Sequence, residues 1–141
     1  MDVLMVGSIA YDSVTSPAGN VADALGGSAV YAGIASCFHS EYLELSNVGL
    51  VGVVGQDFKQ SDIELLESQG LELSGLEVAE GNTFRWEGSY HGDMGVAQTH
   101  DTQLNVFGDF DPKVPDHATA PKVLFCANLV PNGLYFLFLI V

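Results

Sequence analysis

The sequence predicts an α/β fold: buried, parallel strands alternating with helices, and an antiparallel β flap. Three observations predict it. Near-continuous apolar runs at 3–9, 48–54 and 122–127 read as strands covered on both faces. Helical patterns fall between the first two and after the second. Two further stretches, 82–91 and 102–106, alternate apolar and polar residues, as strands with one covered face do.

Taken in order, Val3 to Ile9 reads as a central parallel strand ending near Gly7-Ser8. Thr15 to Ala24 reads as part of two short strands joined by a turn over Ser16 to Asn20. The stretch L-G-G-S-A-V-Y-A-G-I-A-S follows at 25–36, and with it a helix over roughly Ser28 to His39 with Ser28 as its N-cap. Ala29, Ala32, Gly33, Ala35 and Ser36 keep one side of that helix thin, so it can lie close against a sheet. Val48 to Val54 is the second buried strand. Gly49, Gly52 and Gly55 look superficially like a dinucleotide-binding turn, but they lie within the strand rather than after it. Ser61 and Glu64 have capping-box spacing, Ile63 and Leu66 point to a core, and Gly70 closes the second helix. Leu71 to Glu80 reads as a connection with one short strand. Asn82 to His91 and Thr102 to Val106 form the antiparallel flap, and Lys122 to Ala127 is a third buried strand.

Composition narrows the function. The 141 residues are enough for one modest core. A net charge of −14 with four basic residues opposes nucleic-acid binding, which needs cations to neutralise phosphates. It equally opposes an anionic membrane surface. No apolar stretch reaches the roughly 20 residues of a membrane span, and Met1 to Val6 lacks the basic start of a signal peptide. The expectation is a cytoplasmic protein. Cys37 and Cys126 sit in apolar surroundings and read as buried free thiols. His39, His91, His100 and His117 show no metal-ligand spacing, and Asp109 and Asp111 read as turn residues.

Candidate ligand contacts cluster where strands end. Ligands of open α/β sheets collect outside the carboxyl ends of the strands. Asp12 is placed there to accept hydrogen bonds from a hydroxylated ligand, with a turn or capping role as the alternative. Gly26 and Gly27 allow positive φ and close approach, either in a plain turn or in one that holds a ligand at the following helix N-terminus. Asn128 puts an amide at another strand end. Phe84, Trp86 and Tyr90 either cover a substrate or pack on the sheet beneath. Arg85, the only arginine, reads as a salt-bridge or solvated residue.

Five motifs in order resemble the PfkB, ribokinase-like carbohydrate kinases. They are V-G-S-I-A-Y-D at 6–12, L-G-G-S-A-V-Y-A-G at 25–33, V-G-L-V-G-V-V-G-Q-D-F at 48–58, L-L-E-S-Q-G-L-E at 65–72 and T-F-R-W at 83–86. The resemblance runs over about 3–128 and implies the N-terminal part of a ribokinase-like domain, an incomplete doubly wound sheet with lid strands near 12–24 and 82–106. It implies phosphoryl transfer from ATP, with Mg²⁺, to a hydroxymethyl group of a sugar or nucleoside. Asp12 matches the aspartate that holds substrate hydroxyls. Gly26 and Gly27 match the di-glycine that closes over substrate, and Ser28 follows it. The resemblance also implies a route to homodimers through the lid.

Departures from the family pattern bear on the substrate. Tyr31 stands where the family often has asparagine, Ala10 where ribokinases have it, and Gln60 where many members have glycine, so the substrate is not expected to be bound as ribose is in ribokinases proper. The family's second signature, a G-A-G-D-like turn supplying anion hole and general base, does not occur in this sequence. No ligand for ATP or Mg²⁺ is identifiable, and the expectation is a chain inactive alone. The alternatives are a sugar-binding or lid-dimerising module, or a fragment without function. The apolar run Leu134 to Val141 in the tail 129–141 is unlike a domain terminus, and a truncated or frameshifted product is expected.

Overall fold

The computed structural model describes residues 1–128. The apolar tail at 129–141 lies outside them. In chain order the elements are β1 (Val3–Gly7), β2 (Ala10–Ser16), β3 (Gly19–Gly26), α1 (Ser28–Leu43), β4 (Val48–Gly55), α2 (Gln60–Ser68), β5 (Leu71–Ala79), β6 (Phe84–Tyr90), β7 (Ala97–Gln103) and β8 (Val123–Ala127). Two 3₁₀ turns, Asn105–Asp109 and Asp116–Ala118, precede β8.

The strands form two four-stranded sheets, ordered β5-β4-β1-β8 and β3-β2-β6-β7. All pairings in the first are parallel. Every residue of β1 and β4 is buried, which explains why both read as unbroken apolar runs. Alternate side chains of β1 serve opposite faces. Val3 and Met5 join Ala29, Val30 and Leu66 of the two helices. Leu4 and Val6 instead meet Phe84, Phe107 and Phe110. Helices cover one face and the aromatic 3₁₀ segment covers the other, so the doubly covered parallel sheet predicted from sequence is present.

Helix α1 is thin where it meets the sheet: a Cβ on Gly33 would come within 3.0 Å of Leu71. It runs to Leu43, a turn beyond the predicted end, and stops at Glu44 with φ 54. Its N-cap is Gly27 rather than Ser28, and no side chain caps it. The reason is tertiary, since the Ser28 hydroxyl bonds elsewhere, as described below. The capping box at Ser61 and Glu64 also fails to form. Helix α2 starts at Gln60 with Lys59 as N-cap. There the Tyr11 hydroxyl accepts the Lys59 N–H at 2.9 Å and donates to Asp62 at 2.6 Å, doing from a distant strand what a local cap would do. At the other end the cap residue is Gln69, and Gly70 follows it at φ 91 with its N–H on the Glu67 carbonyl. Leu66 is buried and Ile63 half-buried, as the pattern predicts.

Strands departed further from expectation. Residues 71–80 hold a full nine-residue strand, β5, rather than a short one, and its polar residues fit its edge position among the described strands. The third strand, β8, pairs with β1 as expected, but it is half exposed rather than buried because it edges the described sheet. The second flap strand is Ala97–Gln103, not 102–106. Asn105 takes φ 49 and donates its side-chain amide to the Thr83 carbonyl at 2.9 Å, which turns the chain into the 3₁₀ segment. The lid sheet is mostly antiparallel, with one parallel pairing between β2 and β6. Both strands leave the parallel sheet at the same end, after β1 and β5 respectively, so they run alongside each other.

Cys37 and Cys126 are free and half-buried rather than fully buried, and burial pushes both thiols up. His91 and His100 are exposed, as expected for solvated residues, yet both ring Nε2 atoms contact the Ser89 hydroxyl, at 3.0 and 2.8 Å. Among the described residues no helix is long and apolar enough to cross a membrane.

Candidate functional site

A cleft of about 270 Å³ lies between the lid and the carboxyl ends of β1 and β8. The chain leaving β1 supplies Ser8 and Ala10, and β2 supplies Asp12. Gly27, Ser28 and Tyr31 come from the start of α1, Asn128 from beyond β8, and Phe84, Trp86 and Tyr90 from β6. Four of the five residues singled out from sequence therefore share one cavity.

The fifth, Gly26, works from behind. A Cβ there would run into the Asp12 carboxylate, so the missing side chain is what lets Asp12 fold in against the turn. Gly27 takes φ 99, and a Cβ on it would collide with the Ser8 carbonyl and Ile9. The Gly27 N–H lies close to the Asp12 carboxylate. Burial raises the Asp12 pKa, and that N–H partly opposes the rise. Asp12 is half-buried in β2, opposite a β-bulge in the hairpin with β3.

Ser28 serves as a tie. Its hydroxyl donates to the Ala127 carbonyl at 3.0 Å and lies 3.0 Å from the Ser8 hydroxyl. Its N–H donates to the Ser8 Oγ at 3.1 Å. The ends of β1, β8 and α1 are thus knotted together at the cleft floor. Sequence reasoning missed Ser8, although it stands inside the V-G-S-I-A-Y-D motif. Asn128 takes φ 50 at the carboxyl end of β8, where its amide was expected.

The flap aromatics divide between the two roles left open. Phe84 is buried and stacks on Phe107 at 5.3 Å, so it is core. Trp86 and Tyr90 are half-buried and face the cleft. Tyr31, which replaces the family asparagine, stands on the cleft rim. Its phenol is pushed up by burial, then by the Asp12 charge and Tyr90. Ala10 lies in the wall, so two departures from the ribokinase pattern fall in this cavity.

On the other side of the same strand pair lies an ionic network. Arg85 pairs with Asp23 of β3 and, at 2.7 Å, with Asp57. Asp57 also accepts the N–H and hydroxyl of Thr83, both at 2.7 Å. The guanidinium lies 5.3 Å from the centre of the Tyr11 ring. Burial pushes Asp57 up, but these bonds outweigh it and hold its pKa below the usual carboxylate value. Tyr11 is pushed up to about 12 by burial and by Asp62. The registers Tyr11↔Arg85 and Asp12↔Trp86 put the network and the cleft back to back.

A parallel sheet with a cleft at its strand ends under a mixed β lid defines the class: this is the ribokinase-like fold. The comparisons agree. The ribokinase of Cryptococcus neoformans var. grubii serotype A, solved in complex with ADP, superposes with TM-score 0.69 at 19% identity over 98% of this chain and 44% of its own. The Methanocaldococcus jannaschii nucleoside kinase, an archaeal member of the ribokinase family, gives TM-score 0.68 at 16% identity over 96% and 47%. Halothermothrix orenii fructokinase gives 0.69 at 14% identity over 98% and 52%. No family model matches the sequence. A curated relative, the cytidine kinase of Thermococcus kodakarensis, is 33% identical over 106 residues, 70% of this chain and 36% of that protein. The resemblance to the PfkB, ribokinase-like kinases read from the motifs therefore holds, and the chain spans between about a third and a half of the proteins it matches.

Among the described residues no group of three or more His, Cys, Asp or Glu is arranged to hold a metal. The described residues lining the cleft include one carboxylate and no cation. These residues do not fit a nucleotide triphosphate or Mg²⁺, and no chemical step is assigned through either.

Proposed function

We propose that this chain carries the substrate-binding part and lid of an ATP-dependent kinase acting on a sugar or nucleoside. The observation that supports it best is the convergence of Asp12, Gly27, Ser28 and Asn128 in one cleft under the lid. Asp12 accepts hydrogen bonds from two neighbouring substrate hydroxyls, since an ionised carboxylate offers two acceptor oxygens and makes the stronger bonds. Gly26 gives that carboxylate room, and Gly27 brings its backbone N–H up to it. Ser28 holds the cleft floor together, and the Asn128 amide faces the same space. Burial under the lid strengthens each of these bonds by excluding water. By itself the chain binds but does not transfer the phosphoryl group, because the described residues of its cleft supply neither phosphate cradle nor general base. A cytoplasmic setting, where ATP is available, fits this reading.

Calorimetric titration of the 141-residue chain with D-ribose, D-fructose and cytidine tests it. At least one should bind, and Asp12→Asn should weaken that binding about 10- to 150-fold, the worth of a hydrogen bond to a charged group. ATP should not be consumed. Absence of binding by all three overturns the reading.

A second reading rests on β3. This strand edges the lid sheet, its first five residues are exposed, and Val21 is 49% exposed. Two lids pairing along that edge would bury it. Sedimentation should then show a dimer that Val21→Lys dissociates.

A further inference from the structure

We propose that the cleft takes an unphosphorylated nucleoside, with its base laid on the Trp86 ring and its ribose diol on Asp12. This deepens the reading of the cleft as a substrate site and rests on it.

Trp86 is built as a platform. Its Nε1–H donates to the Thr99 hydroxyl at 3.2 Å, which fixes the ring's rotation. The ring then lies across Gly88, where any Cβ would collide with its Cζ2 and Cη2 atoms. Gly88 is thus the space that accommodates the benzo edge of a large indole. Trp86 lines the cleft, is half-buried and also packs on the apolar cluster that holds Phe84 and Phe107. An aromatic ring held in advance stacks a flat partner without a further ordering cost.

The register places this platform beside the anchor. Asp12 and Trp86 are direct partners on neighbouring parallel strands. A ligand gripped by its diol at Asp12 therefore extends its next group onto the indole, with Tyr90 and Tyr31 on either side.

The serines of the cleft floor are already engaged. The Ser28 hydroxyl is given to Ala127, and the Ser8 Oγ already accepts the Ser28 N–H and contacts the Ser28 hydroxyl. A monosaccharide carries a hydroxyl on nearly every carbon, and those turned toward the indole carbons would lose their water partners without replacement. The face of a nucleobase needs no such partners. Charge opposes a phosphorylated ligand as well, because Asp12 is the sole charged residue among the described residues lining the cleft and would repel a phosphate.

Trp86 is the only tryptophan, so its fluorescence reports on the site directly. The chain is titrated with cytidine, adenosine, D-ribose and D-ribose 5-phosphate. Nucleosides should quench the emission and bind roughly 5- to 150-fold more tightly than ribose, the worth of one stacked base. Ribose 5-phosphate should bind weakest. In calorimetry, Trp86→Leu should bring nucleosides down to the affinity of ribose and leave ribose unchanged. Trp86→Phe, which keeps a flat ring, should retain most of the preference and guards against a variant that merely unfolds. Ribose binding as tightly as the nucleosides, or nucleoside binding undiminished in Trp86→Leu, overturns the base platform while the substrate site stands. If no ligand binds, both fall together.

Discussion

The parallel sheet and the lid are held by different physics. The sheet is sandwiched between two apolar clusters, and its central strands contribute no charge to them. The lid also packs on it through Ala10 and Phe84, but its placement adds polar ties: Asp57, beyond β4, holds Arg85 and Thr83, and Arg85 bonds Asp23 within the lid. Hydrophobic contacts are many and non-directional, so the sheet resists change at any one polar position. Charge-assisted bonds are few and directional, so the lid's placement depends on individual atoms. That division suits a binding cleft. The sheet fixes where strand ends lie, while the lid carries Asp12 and Trp86 at an angle that small energies can set.

The largest expected effect breaks the sheet side. Leu50 is 1% exposed in the cluster beneath α1. Leu50→Ala should cost about 3 kcal/mol, from lost transfer energy and the cavity left behind. Chemical denaturation should show a lower midpoint with an unchanged slope. A loss no larger than that of an exposed lid residue such as Val96, which is 82% exposed, would mean the two regions do not differ in this way.

Next comes the tie between them. Asp57→Ala removes the acceptor for Thr83 and Arg85 and should cost about 2 kcal/mol, given that the pair is partly screened by solvent. The pH dependence identifies the cause. Asp57 has a pKa held below its ordinary 3.8 in the folded chain. Its stabilisation is therefore present above that value and lost as pH falls through the lower, folded pKa. Acid unfolding of the wild type should include this loss, and Asp57→Ala should lack it. Amide exchange of Asp57→Ala should quicken in β6 and β7 while β1 and β4 stay protected.

The same division governs what the sequence could reveal. Apolar runs at 3–9 and 48–54 announced buried parallel strands, because burial on both faces leaves a pattern in every residue. The di-glycine turn and Asp12 were legible because the chemistry of a close approach is written in the local sequence. What was not legible depended on distant partners. Ser28 and Ser61 look like caps, yet Ser28 is claimed by Ala127 and α2 is capped by Tyr11, 48 positions before Lys59. The exposure of β8 reflects its place at the edge of the described sheet rather than its composition. Ser8 was hidden because a serine gives no sign of its partner. Gly88 shows no role of its own in the alternating stretch 82–91, and only the ring lying over it gives it a purpose.

The smallest expected effect has the opposite sign to the others. Burial raises the Asp12 pKa, so the folded chain holds its proton more tightly than the unfolded chain does. A carboxylate shifted upward lowers stability as pH rises from the unfolded pKa through the folded one, and the cost persists at neutral pH. Asp57 shows the reverse behaviour in a lower pH range. Asp12→Asn removes the charge while keeping the shape, so it should raise the midpoint of thermal unfolding at pH 7 by no more than a few degrees, worth less than about 1 kcal/mol. The gain should shrink toward zero as pH is lowered below the ordinary carboxylate value, because the wild-type group is then protonated in both states. The same variant should bind its ligand far more weakly. A residue that destabilises the fold and is needed for binding is one retained for the site, whereas loss of stability in Asp12→Asn at neutral pH would make Asp12 a structural turn residue after all.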